Sequence, residues 1–248
     1  MAAAGERASA TTDPAGSAPR PQSPAESPPS ARYVAVITDG NGRWARARGI
    51  PVNDGHSAGA DTVKARLRDA AELGIEEFTV YSFSTENWTR PPEEVRGLME
   101  MFSARILGET PELNDEGVRM RFIGRREGVS ERLAEQMAWA EETTGTNTRI
   151  TMFVAFNYGG RAEIVDAARR FSGSTEAEFR ACLYAPDMHD PDLIIRTSGE
   201  RRLSNYLLWQ SAYSELVFRD ELWPDFTRGA LEQALAEYAE RRRRFGGR

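Results

Sequence analysis

The run Asp39-Gly40-Asn41-Gly42-Arg43-Trp44 puts a carboxylate, two glycines and a guanidinium directly behind the apolar stretch Tyr33-Val34-Ala35-Val36-Ile37-Thr38. An anion site is built from such parts. Gly40 and Gly42 let backbone N–H groups approach a phosphate without a Cβ in the way, Arg43 adds a charged fork, and Asp39 can hold the divalent cation that accompanies a diphosphate. Farther along, Arg90, Arg196 and Arg202 join Arg43, with Ser198 and Ser204, in a donor set suited to phosphoryl oxygens. Asp39 and Glu215 are the candidate ligands for a hard metal ion. Several arginines among few acids point to substrates with several negative charges, two diphosphates rather than one. Other chemistries drop out: the chain has no GxxxxGK[ST] loop, no GxGxxG fingerprint and no HExxH helix. His56 and His189 are the only histidines, which excludes a multi-histidine metal centre.

The elements that must position these residues follow from apolar spacing and caps. At 248 residues, 40% apolar, the chain suits one large domain with a real core. Residues 1–30, rich in Ala, Pro, Ser and Gly, read as a disordered tail without the apolar run of a signal peptide, leaving residues 31–248 as the domain. A strand-then-helix rhythm predicts an α/β fold with a mostly parallel central sheet flanked by helices. Strands are expected at Tyr33 to Thr38, Phe78 to Phe83, Val118 to Ile123, Ile150 to Phe156, Leu193 to Ile195 and Leu216 to Phe218. Helices are expected from Ala58 to Leu73 with Gly74 beyond the end, from Pro92 until Pro111 kinks or stops it, from a Ser130 cap to Thr143, after Gly159-Gly160, and from Thr227 to Arg244. In such sheets ligands sit beyond the carboxyl ends of the strands. The polar clusters at 39–43, 84–90, 157–158 and 196–200 all fall there, and the apolar helix face of Val95, Leu98, Met99, Phe102 and Ile106 can line a greasy cavity beside them. A charged head site next to an oily tunnel fits a prenyl diphosphate.

Taken together, Asp39 to Ala45, Gly55-His56, Ser84 to Arg90, Asn157 to Arg161, Asp192 to Glu200 and Leu222 to Phe226 resemble the cis-prenyltransferases of the undecaprenyl diphosphate synthase type, over about Tyr33 to Gly247. The resemblance implies a Mg²⁺-dependent homodimer that condenses isopentenyl diphosphate with an allylic diphosphate, making new cis double bonds and a polyprenyl diphosphate of the undecaprenyl type. By matching position it makes Asp39 the main catalytic carboxylate and Mg²⁺ ligand, and Asn87 the residue that accepts or relays the proton. The backbone of Gly40, Asn41, Gly42 and Arg43 cradles the allylic diphosphate, with Arg43 and Arg90 neutralising it. Trp44, His56 and Trp88 shape that half, with Ser84, Thr85 and Glu86 beside it. Arg196, Arg202, Leu203 and Ser204 resemble the isopentenyl half, Glu215 the second metal ligand, and the Arg-Arg-Phe-Gly-Gly run at 243–247 the segment that crosses to the partner. The enzyme is expected in the cytoplasm, with peripheral membrane contact for product release.

The plainer readings stand beside these. Asp39 to Gly42 alone is a turn after a strand, Glu215 alone a surface acid, and His56, placed ahead of a helix, reads equally as a structural histidine or a phosphate contact. His189 reads as a surface loop residue, and Trp209 and Trp223 as core. The formal charge of −6 argues against a nucleic-acid partner, and Arg241 to Arg244 is in the first instance a solvated helix end. Cys182 is the only cysteine, which fits a reducing compartment, and no apolar stretch is long enough to span a bilayer. Three positions depart from the family pattern: Val52 where many relatives carry arginine, Arg201 in place of a histidine, and a short connection from Ser172 to Asp190. They leave room for a short- or medium-chain or irregular prenyl diphosphate synthase. A non-catalytic partner subunit is expected to have lost Asp39 or the arginines, and this chain keeps both.

Overall fold

Six short β-branched and aromatic runs separated by helical segments lead to the architecture of the computed structural model, which describes residues 30–241. In chain order the elements are β1 (Tyr33–Ile37), α1 (Asn41–Ala47), α2 (Val52–Glu72), β2 (Glu77–Ser84), α3 (Pro92–Asp115), β3 (Val118–Ile123), α4 (Glu131–Thr143), β4 (Ile150–Tyr158), α5 (Gly160–Arg170), α6 (Glu176–Arg180), β5 (Leu193–Arg196), β6 (Glu215–Phe218) and α7 (Arg228–Glu240). One-turn 3-10 helices lie at Thr85–Thr89 and Trp223–Asp225. The strands form one sheet in the order β3-β4-β2-β1-β5-β6, and every pairing is parallel. Residues 1–29 of the stretch 1–30 read as a disordered tail, and the arginine run past Arg241, lie outside the described residues.

Alternation along the strands sorts the core onto two faces. Val34, Val36, Phe78, Val80, Met120, Phe122, Met152, Val154 and Ile195 pack against α2, α3, α4 and α7. Ala35, Ile37, Phe153, Ala155 and Ile194 meet Tyr158, Ala185, Met188, Tyr206 and Leu207 on the other side. In β2 the alternation breaks where the register against β4 shifts between Tyr81 and Phe83. Without that bulge Phe83 would share the face of Tyr81; with it, Phe83 joins the helix-covered core while Tyr81 stays opposite.

Several expected boundaries move. The glycine-flanked stretch 40–43 is not a loop: Gly40 is the N-cap of α1, at φ +117. A side chain is excluded there twice over, by that φ and by Leu222, whose atoms would lie 2.9 to 3.1 Å from a Cβ. Helix α2 begins at Val52, well before Ala58, so His56 lies within it rather than ahead of it. The early turns contain Gly55 and Gly59, which weaken a helix by propensity but let α1 press close, since a Cβ at Gly55 would stand 2.4 Å from the Asn41 carbonyl. Helix α3 passes through Pro111 to Asp115 rather than stopping, and α7 ends at Glu240. His189 is more than a loop residue: it stacks on Tyr33 at 4.2 Å and bonds Glu77 at 2.7 Å.

Candidate active site

The chain leaves β1 for strands on one side of it and returns at β5 on the other, so the carboxyl end of β1 is the point where the strand order switches. A crevice opens there, as it does in open parallel sheets generally. Asp39 lies two residues past the end of β1 and Arg196 is the last residue of β5, and Arg196 Nη2 donates to Asp39 Oδ2 at 2.9 Å. The other amino group, Nη1, donates to Ser204 Oγ at 2.7 Å and to the Arg202 carbonyl. Arg196 is only 4% exposed, and its buried Nε has no acceptor within the protein. Arg43 reaches the same corner from α1: Nη2 donates to Ser198 Oγ at 2.5 Å and to Asp39 Oδ1 at 3.4 Å. Burial pushes the Asp39 carboxyl up, but hydrogen bonds from Arg196 and Ser198 and the charges of Arg196 and Arg43 outweigh it and hold the group below the usual carboxylate range. It is ionised at neutral pH.

The Asp39 carbonyl is as constrained as its side chain, accepting from Thr197 Oγ1 at 2.7 Å and from Trp223 N–H at 3.0 Å. The segment after β5 is held in an unusual backbone: Ser198, Ser204, Asn205 and Leu207 all have positive φ, a region non-glycine residues rarely enter. Tyr81 braces this segment, its hydroxyl 3.4 Å from the Ser204 carbonyl and its ring stacked on Tyr206 at 4.4 Å.

On the other bank, the turn after β2 is a capping box: Ser84 N–H donates to Asn87 Oδ1 at 3.0 Å, and the Ser84 side chain accepts from the Asn87 backbone. Glu86 accepts from Asn205 Nδ2 at 2.8 Å, tying this turn to the Ser204 segment. Burial raises the Glu86 pKa, but the bonds from Asn205, Ser84 and Thr85 keep it below the ordinary value. His56 and Arg90 share one oxygen of Glu94, at 3.3 and 3.0 Å. Burial depresses the His56 pKa below 6.5, helped by the Arg90 charge and only partly opposed by Glu94, so the ring is neutral at neutral pH.

A cleft of ≈ 510 Å³ gathers Asp39, Asn41, His56, Ser84, Glu86, Asn87, Arg90, Arg196 and Ser204, as the sequence predicted, together with Thr38, Tyr81, Ser82 and Asn205. Thr38, Asn41, His56, Ser82 and Leu98 also wall an apolar cavity of ≈ 110 Å³ between the sheet, α2 and α3. The oily wall extends beyond Leu98, Phe102 and Ile106 to Met101, Phe122 and Val154. Tyr81, Glu94 and Asn205 are the residues the sequence reading missed. Only Asn205, beside Ser204, and Glu94, one helical turn past Arg90, carried a positional hint.

The other predicted residues sit differently. The backbone N–H groups of Asn41, Gly42 and Arg43 form the first turn of α1, where no intrahelical acceptor exists. Trp44 turns away, donating to Asp225 at 2.8 Å beneath the Arg48 guanidinium. Trp88 donates to Asn157 at 2.7 Å and packs edge-on against Phe83, behind the cleft rather than in it. Thr85 bonds Glu86 at 3.1 Å, Arg202 pairs with Glu200 at the rim, and Leu203 packs on the second core. Glu215 lies away from this cluster. It is the first residue of β6, three positions and about 10 Å of strand below the level of Arg196, and it pairs with Arg241 at 2.8 Å. Within one chain it does not meet Asp39, and among the described residues no group of three or more acidic, histidine or cysteine side chains is placed to hold a metal.

A thermodynamic consequence follows from His56. Its folded pKa is depressed, so below about 6.5 the unfolded chain binds the proton first. The stability that neutral His56 contributes is therefore complete above that pH and is lost as pH falls through the depressed value. We expect His56→Gln to flatten the acid limb of the stability curve, measured as unfolding free energy in urea against pH. An unchanged slope below pH 6.5 would contradict it.

Residues 37–246 match the family model described as "Putative undecaprenyl diphosphate synthase". The isoprenyl transferase of Thermotoga maritima is 50% identical over 225 residues, covering 87% of this chain and 97% of that protein. The trans,polycis-polyprenyl diphosphate synthase ((2Z,6E)-farnesyl diphosphate specific) of Thermobifida fusca is 46% identical over 245 residues, 94% of this chain and 86% of its own. The crystal structure of lavandulyl diphosphate synthase from Lavandula x intermedia in complex with dimethylallyl diphosphate superposes with a TM-score of 0.84 at 34% identity, over 88% of this chain and 99% of that one. With the sheet, the arginine-lined cleft and the apolar cavity in view, these matches settle the family: the chain belongs to the cis-prenyltransferases and is a prenyl-transferring enzyme that elongates cis-prenyl chains.

Proposed function

We propose that the enzyme condenses isopentenyl diphosphate with an allylic diphosphate, and that its product is a long polyprenyl diphosphate of the undecaprenyl type, a carrier-lipid precursor. The observation that carries this is the shared wall between the two cavities. A cleft with arginines on both banks suits the diphosphates, and the apolar cavity that shares Thr38, Asn41, His56, Ser82 and Leu98 with it suits a hydrocarbon chain attached to one of them. Arg43, Arg90 and the first-turn N–H groups of α1 take the allylic diphosphate; Arg196, Ser204 and the rim residue Arg202 take the isopentenyl one. The unpartnered Arg196 Nε supports an anion at that point.

When the allylic C–O bond breaks, negative charge develops on the departing diphosphate. Guanidinium and N–H groups already fixed by Ser198, Glu94 and the α1 geometry stabilise that charge without reorganising. Holding both substrates in one cleft supplies the proximity contribution. Ionised Asp39 suits Mg²⁺, which typically takes one or two protein carboxylates plus substrate phosphates, and the ion when bound supplies further charge neutralisation. Glu215 would join it only from elsewhere in an assembly. Asn87, which lines the cleft, accepts from Ser84 N–H through Oδ1, which leaves its amino group to act as a donor and not as a base. The proton lost on condensation passes to released pyrophosphate or water.

We assign the active form as a homodimer in the cytoplasm, touching the membrane peripherally to deliver product; no described helix is long and apolar enough to cross a bilayer. Purified protein, given radiolabelled isopentenyl diphosphate, Mg²⁺ and geranyl or farnesyl diphosphate, is expected to form labelled long-chain products resolved by size. Products of one or two added units would favour the short-chain alternative, and no incorporation with any allylic primer would sink the head-to-tail reading.

A further inference from the structure

The apolar cavity is too small for the chain it must serve. A molecule as small as benzene occupies an engineered apolar cavity of about 150 Å³, and this one measures ≈ 110 Å³. A farnesyl chain, more than twice the size of benzene, needs a wall to move. On one side the wall is the parallel sheet, with Met120, Phe122, Met152 and Val154 locked in a hydrogen-bonded ladder. On the other it is the seam between α2 and α3, and that seam is laced by polar groups.

Helices α2 and α3 run side by side in the same direction. Arg105 of α3 crosses the seam: Nη1 donates to Asp61 of α2 at 2.5 Å and to Glu109 of its own helix at 2.7 Å, while Nη2 donates to Ser57 Oγ at 2.9 Å and to the Ser57 carbonyl at 3.2 Å. A turn or two farther on, Lys64 pairs with Glu112, and Arg68 with Glu112 and Glu116. Of all these charged groups only Arg105 and Glu109 also line the apolar cavity. The Arg105 side chain is a quarter exposed and that of Asp61 two-thirds exposed, so the bridge stands between hydrocarbon and solvent. Partly solvated ion pairs of this kind exchange for water at little cost, whereas parting strands of the sheet would not.

We propose that the Arg105 bridge to Asp61 and Ser57 sets the product length of this enzyme: the growing prenyl chain outgrows the cavity, pushes the bridge open and emerges between α2 and α3, and each added unit is disfavoured by the part of the bridge it must displace. Arg105 is thereby a specificity-determining residue, and Asp61 a positioning residue acting through it. The inference rests on the chain-elongation reading above and concerns only where elongation stops.

The test sizes the products of wild type, Asp61→Asn, Asp61→Glu and Arg105→Leu made from farnesyl diphosphate and labelled isopentenyl diphosphate, and separately times the first condensation. Asp61→Asn, a change on an exposed side chain, is expected to shift the mean product upward by at least one isoprene unit and to raise late relative to early addition several-fold. Its first-condensation rate is expected to stay at the wild-type value. Arg105→Leu is expected to lengthen products further, and Asp61→Glu, which keeps the charge, to retain the wild-type distribution. Unchanged or shorter products from Asp61→Asn, with the first condensation intact, would overturn the bridge and leave the prenyl-transfer reading standing. A wild type that adds no isopentenyl unit would remove that reading itself and this inference with it.

Discussion

Asp39→Ala is expected to lower isopentenyl incorporation by about 10²–10³-fold, the range lost when a pre-organised electrostatic partner leaves an active site. The reason lies in what the carboxylate holds as much as in what it binds. Asp39 takes one amino group of Arg196 and a longer contact from Arg43, so its loss unhooks both arginines from their shared orientation. The fold should survive with a modest penalty. Removing one partner of a fully buried pair costs about 3–5 kcal/mol, but Asp39 is 30% exposed and Arg196 keeps Ser204 Oγ and the Arg202 carbonyl, so the cost falls to about 1–2 kcal/mol. Thermal melts with and without inorganic pyrophosphate check both halves. The variant should melt a few degrees lower and be rescued by pyrophosphate at least as well as wild type, since an anion relieves the unpaired Arg196. Retention of turnover within tenfold of wild type would remove Asp39 from the centre of the site.

Arg196→Lys should raise KM for isopentenyl diphosphate on the order of 100-fold, about 3 kcal/mol, and raise KM for the allylic substrate much less. A lysine keeps the charge, but one ammonium cannot span Asp39 on one side and Ser204 with the Arg202 carbonyl on the other. The left-handed Ser204-Asn205 turn would lose the clamp that holds it against its backbone preference. Steady-state kinetics with each substrate varied in turn separates the two constants. Equal rises would show that the two halves are not divided along the line from Arg43 to Arg196.

Much of this site was legible because parallel sheets obey simple rules. Alternation in Val118 to Ile123 located β3 to the residue, the Ser130 cap located the start of α4, and the carboxyl ends of the strands gathered the polar clusters. The misreadings share a physical cause, that long-range packing overrode local preference. Gly40-Asn41-Gly42 is poor helix material, yet α1 forms there because Gly55 and Gly59 let α2 come within contact. The β2 bulge, which sends Tyr81 and Phe83 to opposite faces, leaves no mark in a periodic pattern. Positive φ at Ser198, Ser204 and Leu207 cannot be read from residues that avoid it. Strand register, which no local string states, puts Glu215 at the end of β6 away from the level of Arg196.

The corner around Asp39 also has a place in time. Its bonds from Arg43 to Ser198, from Arg196 to Asp39 and from Thr197 to Asp39 join residues separated by 155, 157 and 158 positions. Closing loops of that length precedes any reward from the contacts, which is why folds rich in distant pairings assemble slowly. On a ribosome, β1 and α1 emerge long before β5 exists to receive them, and β1 must wait with its switch-point edge uncovered. The corner therefore cannot close until β5 has been made and has docked beside β1.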